Sequence, residues 1–402
     1  MRRGLVGLLI LGFLLGSAAP AGARPAWKQK IDDLVRDRSV SVAVRHQGAP
    51  LYRWAANQTK VPASGQKLLL SMGVLGTFPA SHRLTTRVVT AQPLTPGVIK
   101  GDIWVLGEGD PTLSNGGAFA KGLSIKATRI NRLARGIADT GVVRIQGSVV
   151  GGTTYFARDH WATGWKDYFP ARYIALPTAL AFDANREDGK HIYDPELRVA
   201  RALTRRLRTL GVKVDGAPQV GAAPKTAHEI AQVSSVPLSV LLRFMNRKSS
   251  NFFAEMMGKR LAVQATGQPG TIAAGASATQ NWAAGRGVQI QAHDGSGLSY
   301  SNRASPDGVT RLLESTEAEP WVETLRFSLP KGGQGTLKNR LRNVQVRAKT
   351  GTLSSISVLS GWVWLERTDS WAQFSIMSDG MSKSTASDIE DRIVRRLSAD
   401  AR

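Results

Sequence analysis

The sequence predicts an α/β (α+β) fold: an antiparallel sheet drawn from both ends of the chain, a helical region packed on it, and an inserted, mostly β region. Three observations lead there. Strand-like apolar segments stand near each end, at residues 39–46 and 51–55 and again at 344–352, 357–365 and 371–377. Between them, apolar residues recur at helical spacing over 238–245, 251–266 and 271–285. From about His82 the chain instead breaks into short strand-like segments punctuated by Gly, Pro and Thr. Strands at both ends with helices between imply one α/β domain whose sheet the C-terminus completes. That domain is expected over residues 24–82 and 228–402, with 83–227 as an inserted region of one or two small domains.

In order along the chain, residues 1–23 read as an export signal, with Arg2 and Arg3, an apolar stretch from Leu5 to Leu15, and a small-residue site at Ala21-Gly22-Ala23. The apolar run is short of the roughly 20 residues a membrane span needs, which favours a cleaved signal over a retained anchor. A helix over 26–37 follows, with Trp27, Ile31 and Leu34 at helical spacing, then two strands joined at Gln47-Gly48. A second helix begins near Ser64 and runs through Leu68, Leu69, Leu70 and Met72. In the inserted region, strands are expected at 87–90, 102–106 and 142–150, and a helix at 125–140. A further helix at 195–210 has Asp194 as N-cap, Pro195 in its first position and Gly211 as C-cap. Turns near Ser354-Ser355 and at 367–369 join the C-terminal strands, and a helix over 386–397 closes the chain.

The 402 residues include no cysteine, which excludes disulfides, thiol catalysis and cysteine metal sites. A formal charge of +23 favours anionic partners. There is no helix-turn-helix, zinc-finger or aromatic RNA-binding signature, so nucleic acid is not expected. For an exported chain an anionic cell-wall polymer is the natural partner; a merely solubilising basic surface is the plain alternative. The expected location is the periplasm or cell-wall space, with at most peripheral surface association.

Three short motifs carry the chemistry: Ser64-Gly65-Gln66-Lys67, Ser249-Ser250-Asn251 and Lys349-Thr350-Gly351. Each alone is weak; together they form the S-x-x-K, S-x-N, K-T-G set of penicillin-interacting serine enzymes. The likeness extends through Pro62–Leu69, the Gly101–Leu113 segment with its Gly107-Glu108-Gly109-Asp110-Pro111-Thr112-Leu113 run, Asp294-Gly295-Ser296-Gly297-Leu298-Ser299, and Gly335–Arg340 with Val346–Leu353. On these residues the chain resembles the serine-type D-alanyl-D-alanine carboxypeptidase/endopeptidase family, the low-molecular-mass class C penicillin-binding proteins. The resemblance implies a β-lactamase/transpeptidase-like domain with extra domains between the first and second motifs. It also implies peptidoglycan stem peptides as substrate, β-lactams as covalent inhibitors, and no cofactor. One departure is Gly151-Gly152-Thr153-Thr154, where the family often has an acidic pair followed by Ser.

A serine hydroxyl is a poor nucleophile until a base takes its proton. On a helix Ser64 and Lys67 are neighbours at i and i+3. A lysine near its ordinary value of 10.4 is a poor base, and burial together with a second cation, Lys349, is expected to lower it. Ser249 is read as a proton shuttle to the leaving amine, sharing the proton with Lys67, against an ordinary helix-cap role. Asn251 is read as donating to the substrate backbone and reaching Lys67. Lys349, Thr350, Gly351 and Thr352 are read as the substrate strand. Thr350 would meet the terminal carboxylate in the field of Lys349, and Gly351 would keep the edge open to a backbone. By the resemblance, the oxyanion hole uses the N–H groups of Ser64 and Thr352.

Other features weigh less. Ser328-Leu329-Pro330-Lys331 repeats the first pattern, but Pro330 and the glycines after it oppose a helix, so it reads as a decoy loop. The six histidines lack zinc-site spacing, and no G-x-S-x-G elbow is present. Trp161, Trp165, Tyr168 and Phe169 read as core packing, with sugar stacking the lesser reading. Two other functions stay open: a β-lactamase, which needs a deacylating base the sequence does not reveal, and a non-catalytic wall-binding pseudoenzyme.

Overall fold

The computed structural model describes residues 24–93 and 97–402; the export signal read at 1–23 lies outside them. The first sheet has five strands in the order Val346–Leu353, Ile356–Leu365, Ser370–Asp379, Val40–His46, Ala49–Trp54, antiparallel throughout. Both ends of the chain therefore share one sheet, as expected. Period-two alternation gives it two buried faces. In its second strand Leu359, Val363 and Leu365 join Trp27, Ile31, Ile389 and Ile393 in a core beneath the helices Ala26–Val35 and Lys383–Asp400. Val358 and Trp362 point the other way, into a larger core with Leu68, Leu70, Met256 and Met257 of the central helices Gln66–Leu75 and Asn251–Thr266. Each fully buried side chain of this kind contributes about 1.5–3 kcal/mol.

The second sheet also has five strands, in the order Gln219–Gly221, Val149–Gly152, Ile103–Gly107, Thr85–Thr90, His228–Ser234. Its first two pairings are parallel and its last two antiparallel. Beside it lies a three-stranded parallel sheet of Lys213–Val214, Arg144–Ile145 and Val98–Ile99. The helices Ile130–Ala138 and Pro195–Thr209 close a separate core with Val88, Ile103, Val105 and Val149. Gly211, at φ +83, ends the second of these helices as its sequence suggested.

Three expectations change. The single strand read at 142–150 is two strands in different sheets. Gly147 turns the chain between them so tightly that a Cβ would lie 2.3 Å from Asp102 Oδ1, and the next amide, of Ser148, donates to that oxygen at 2.7 Å. The helix read at 125–140 starts only at Ile130, because Ser114 and Thr128 bond through their backbones just before it (2.8 Å). Residues 228–234, read as part of the first domain, pair with Thr85–Thr90 and so stay in the second sheet. Helices Pro306–Ser315 and Val322–Ser328 were not read from the sequence. No helix among the described residues is long and apolar enough to cross a membrane.

Candidate active site

Ser64 lies in a one-turn 3-10 segment, Ala63–Gly65, that runs into the helix Gln66–Leu75. Ala63 is held at φ +45, a left-handed conformation that costs a residue with a side chain about 1–2 kcal/mol. Two glycines clamp this turn. A Cβ on Gly297 would sit 1.8 Å from the Ala63 carbonyl oxygen, and one on Gly351 would sit 2.7 Å from that of Pro62 and 3.1 Å from Ser64 N. The backbone that Gly351 admits is thus the chain's own nucleophile turn.

One turn along, Lys67 is fully buried. Its Nζ donates to Ser64 Oγ (3.0 Å), to Asn251 Oδ1 (2.9 Å) and to the Ser296 carbonyl. Burial pulls its pKa down to about 8, against the opposing charges of Asp294 and Glu255. The expected help from Lys349 does not appear at Lys67. Lys349 is itself lowered well below its ordinary value, by burial first and then by Lys67 and Lys383.

Ser249 ends the helix Leu238–Lys248 in a left-handed conformation (φ 53°, ψ 41°). The next helix is capped by Ser250, whose Oγ accepts from Phe253 N at 3.3 Å. The cap role weighed for Ser249 therefore falls to its neighbour. Ser249 Oγ accepts instead from Lys349 Nζ at 3.0 Å, so its expected proton-sharing partner is Lys349 rather than Lys67. Asn251 turns its Oδ1 to Lys67 as expected, while its Nδ2 donates to the Tyr173 carbonyl at 3.2 Å.

Strand Val346–Leu353 forms the edge of the first sheet. Gln345 bonds through its carbonyl to Trp364 N at 2.9 Å, facing the neighbouring strand, whereas Ala348 N donates outward to Pro330 O at 3.0 Å. Antiparallel strands alternate strictly in this respect. The N–H and C=O groups of Thr350 and Thr352 hence point to the free edge, where an extended peptide can add. Thr350 Oγ1 donates to Thr336 Oγ1 at 2.8 Å, Lys349 Nζ donates to the Thr350 carbonyl at 2.6 Å, and Thr352 is exposed. The decoy stays apart: Ser328 Oγ is buried on Leu325 O (2.7 Å) and Asn246 Nδ2 (2.9 Å), and Lys331 is exposed.

Of the residues that aim Lys67, Asp294 was quoted within the Asp294–Ser299 segment but given no role, and Glu255 was not read from the sequence. Asp294, fully buried, accepts from the amides of Gly297 (2.9 Å) and Ser299 (2.8 Å) and from Trp165 Nε1 (2.7 Å). Glu255 accepts from Ser296 N at 2.7 Å, and burial with the nearby Asp294 pushes its pKa up to about 8. Together these carboxylates fix the loop whose Ser296 carbonyl receives Lys67. The available signal for Glu255 was the helix's lone acid, four residues after Asn251 and set in the apolar run from Phe252 to Gly258. Trp165 and Phe169 are packed inside as expected, but Trp161 and Tyr168 of the same segment are 47% and 43% exposed.

A buried lysine on a serine, beside a free sheet edge, matches a known family. The D-Ala-D-Ala carboxypeptidase 3 (S13) family matches residues 28–189 and 188–400. The chain belongs to this family. This S13 chain is 26% identical over 494 residues to the D-alanyl-D-alanine carboxypeptidase of Actinomadura sp. (strain R39), spanning 98% of this chain and 88% of the relative. It is 30% identical over 388 residues to Carboxypeptidase DacB of Mycolicibacterium smegmatis (strain ATCC 700084 / mc(2)155), spanning 88% of this chain and 79% of that protein. The S13 chain shares its fold with penicillin binding protein 4 of Haemophilus influenzae, at a TM-score of 0.77 and 18% identity over 92% of this chain and 99% of that one. The same Haemophilus protein, complexed with a novel β-lactam, matches at a TM-score of 0.70 and 19% identity, with the same coverage.

Proposed function

We propose that this serine carboxypeptidase of the S13 family removes the terminal D-Ala of peptidoglycan stem peptides through an acyl-enzyme on Ser64. The observation that carries the proposal is Lys67, fully buried, tuned to about 8 and 3.0 Å from Ser64 Oγ. As a neutral amine Lys67 keeps two N–H donors for Asn251 and Ser296 and turns its lone pair to the serine proton. Ser64 Oγ attacks the carbonyl of the penultimate D-Ala while Lys67 takes that proton. The N–H groups of Ser64 and Thr352 receive the oxyanion, each worth about 3 kcal/mol in such a role.

The C–N bond then breaks. Ser249 gives its hydroxyl proton to the departing amine, since its oxygen already accepts from Lys349 and its own O–H is free to donate. Ser249 is reprotonated by Lys349, and the proton that Lys67 took from Ser64 replaces it there, which leaves Lys67 neutral. Water then attacks the ester, losing its proton to Lys67, which passes it to Ser64 as the acyl bond breaks. The substrate's terminal carboxylate lies along the edge at Lys349, Thr350 and Gly351, and its charge favours protonated Lys349. Asn251 Nδ2 exchanges the Tyr173 carbonyl for a substrate carbonyl. In this scheme Ser64, Lys67, Ser249 and Asn251 are catalytic, and residues 349–352 hold substrate. We place the enzyme outside the cytoplasmic membrane, at the wall, from the leader-like residues 1–23 and from the substrate. The region 83–235, which touches Asn251 and Asp294 through Tyr173 and Trp165, forms one wall of the crevice.

β-Lactams are expected to acylate Ser64 and stay. Glu255 and Asp294 are fully buried, with oxygens held by backbone amides, so neither is presented to a deacylating water. Intact-protein mass after incubation with benzylpenicillin, followed by peptide mapping, is expected to show one stable adduct on Ser64. Ser64→Ala is expected to abolish both the adduct and D-Ala release from a stem pentapeptide. D-Ala release retained in that variant overturns the assignment.

A further inference from the structure

Away from the crevice, where the second sheet meets the helix Leu238–Lys248, lies a cavity of about 360 Å³. Four cationic side chains line it: Arg83, Lys126, Arg129 and Arg132. No carboxylate does. Arg83 comes from the start of the second sheet and the other three from residues 126–132, and among the described residues none of the four has an acidic partner. Some arginines elsewhere in this region are paired, Arg144 with Asp215 at 2.7 Å and Arg198 with Glu187 at 2.8 Å.

Two of the four are held in place. The Arg83 guanidinium donates to the Ser235 carbonyl at 2.6 Å. The Arg129 guanidinium packs over Gly116, where a Cβ would come within 2.0 Å of its Nη2. Gln232 and Ser234 add further polar side chains to the lining. Like charges gathered around one concavity repel each other and focus a positive potential into it. An anion in the cavity relieves that repulsion and completes the guanidinium hydrogen bonds.

We infer that this cavity is an anion site for a phosphate-bearing ligand. Three guanidinium forks suit tetrahedral oxyanions. Four unneutralised cations around a small volume call for more than one negative charge, which phosphate groups carry in little space. The phosphate could belong to a small phosphorylated molecule or to the backbone of an anionic wall polymer, and the chemistry at the cavity is the same. The second source would tether the enzyme to the wall while leaving its crevice open.

The test is calorimetric titration of the full chain with sodium tripolyphosphate and with a short glycerol-phosphate oligomer, at low and near-physiological salt. Saturable one-site binding is expected, weakening by about tenfold or more as salt rises from roughly 50 to 200 mM. The double variant Lys126→Glu/Arg132→Glu is expected to lose at least about tenfold in affinity, as two reversed charges in a focused field should give. Lys30→Glu/Arg395→Glu makes the same charge change on the opposite face of the first sheet and is expected to lose less than about threefold, the long-range share alone. Tighter binding of the oligomer supports the polymer source, and binding of tripolyphosphate alone supports the small molecule. Equal losses in the two double variants, no saturable binding, or equal affinity for poly-glutamate would each overturn the assignment. Penicillin acylation of Ser64 is not involved, so the outcome is independent of the catalytic proposal.

Discussion

The two five-stranded sheets bury apolar surface by different rules, and their lysines and arginines differ accordingly. The first sheet is packed on both faces. A cation at its seam has no water to lean on, so Lys67 and Lys349 are stripped of solvation and moved toward neutrality. The second sheet is built of shorter strands with helices over them, and its periphery leaves Arg83, Lys126 and Arg132 exposed around an acid-free cavity. The same residue types thus stand as buried amines moved toward neutrality in one region and as exposed charges in the other. Depth of burial, rather than residue identity, decides which.

The largest expected break in this comparison is Lys67→Met, which keeps the side chain's bulk and removes the amine. Acylation by benzylpenicillin is expected to fall by about 10²–10⁴-fold, with thermal stability kept, because an amine that was costly to bury is gone. The wild-type acylation rate should rise with pH up to about 8 and then level, since only the unprotonated lysine accepts the serine proton. A flat profile across about pH 6 to 9 would exclude lysine as the base.

Gly297→Ala tests whether the first region's chemistry depends on its backbone. With φ at +79 and a Cβ 1.8 Å from the Ala63 oxygen, the nucleophile turn must shift. A loss on the order of 1–3 kcal/mol in stability is expected, with slower acylation per folded molecule. Unchanged acylation would show that the turn is set by something else. The smallest effect belongs to the second sheet. Ile103→Val, at a fully buried position, should cost about 1 kcal/mol in denaturant unfolding and leave acylation per folded molecule unaltered. A matching fall in acylation would mean that the two regions are coupled more tightly than their separate cores suggest.

Legibility in the sequence followed the same divide. Strands of eight to ten residues, such as Val346–Leu353 and Ile356–Leu365, were long enough to read, and so were the helices that carry apolar stripes. The Ser64, Lys67, Ser249, Asn251 and Lys349 cluster was readable because its motifs are local, and the structure bonds Lys67 to Ser64 and Asn251 and, separately, Lys349 to Ser249. Strands of two to four residues, such as Arg144–Ile145 and Val149–Gly152, are too short to show a period, so their parallel pairing was hidden. Helix Val322–Ser328 was short for the same reason, whereas Ser305-Pro306-Asp307 did offer a start signal for the helix after it. Glu255 was missed, and Asp294 was quoted without a role, because a carboxylate's neighbours in sequence do not say whether water reaches it.

One consequence follows from a sheet shared by both chain ends. Ser64 is synthesised early, whereas the strand bearing Lys349 joins the sheet of Val40–His46 through Ile356–Leu365 and Ser370–Asp379, all near the C-terminus. Closing so long a loop is slower than forming the helix that holds Ser64 and Lys67. An incomplete chain therefore carries its nucleophile and its base without an edge strand on which to hold a peptide. Such a chain is expected to be inert, with hydrolytic power arriving only when the C-terminal strands complete the sheet.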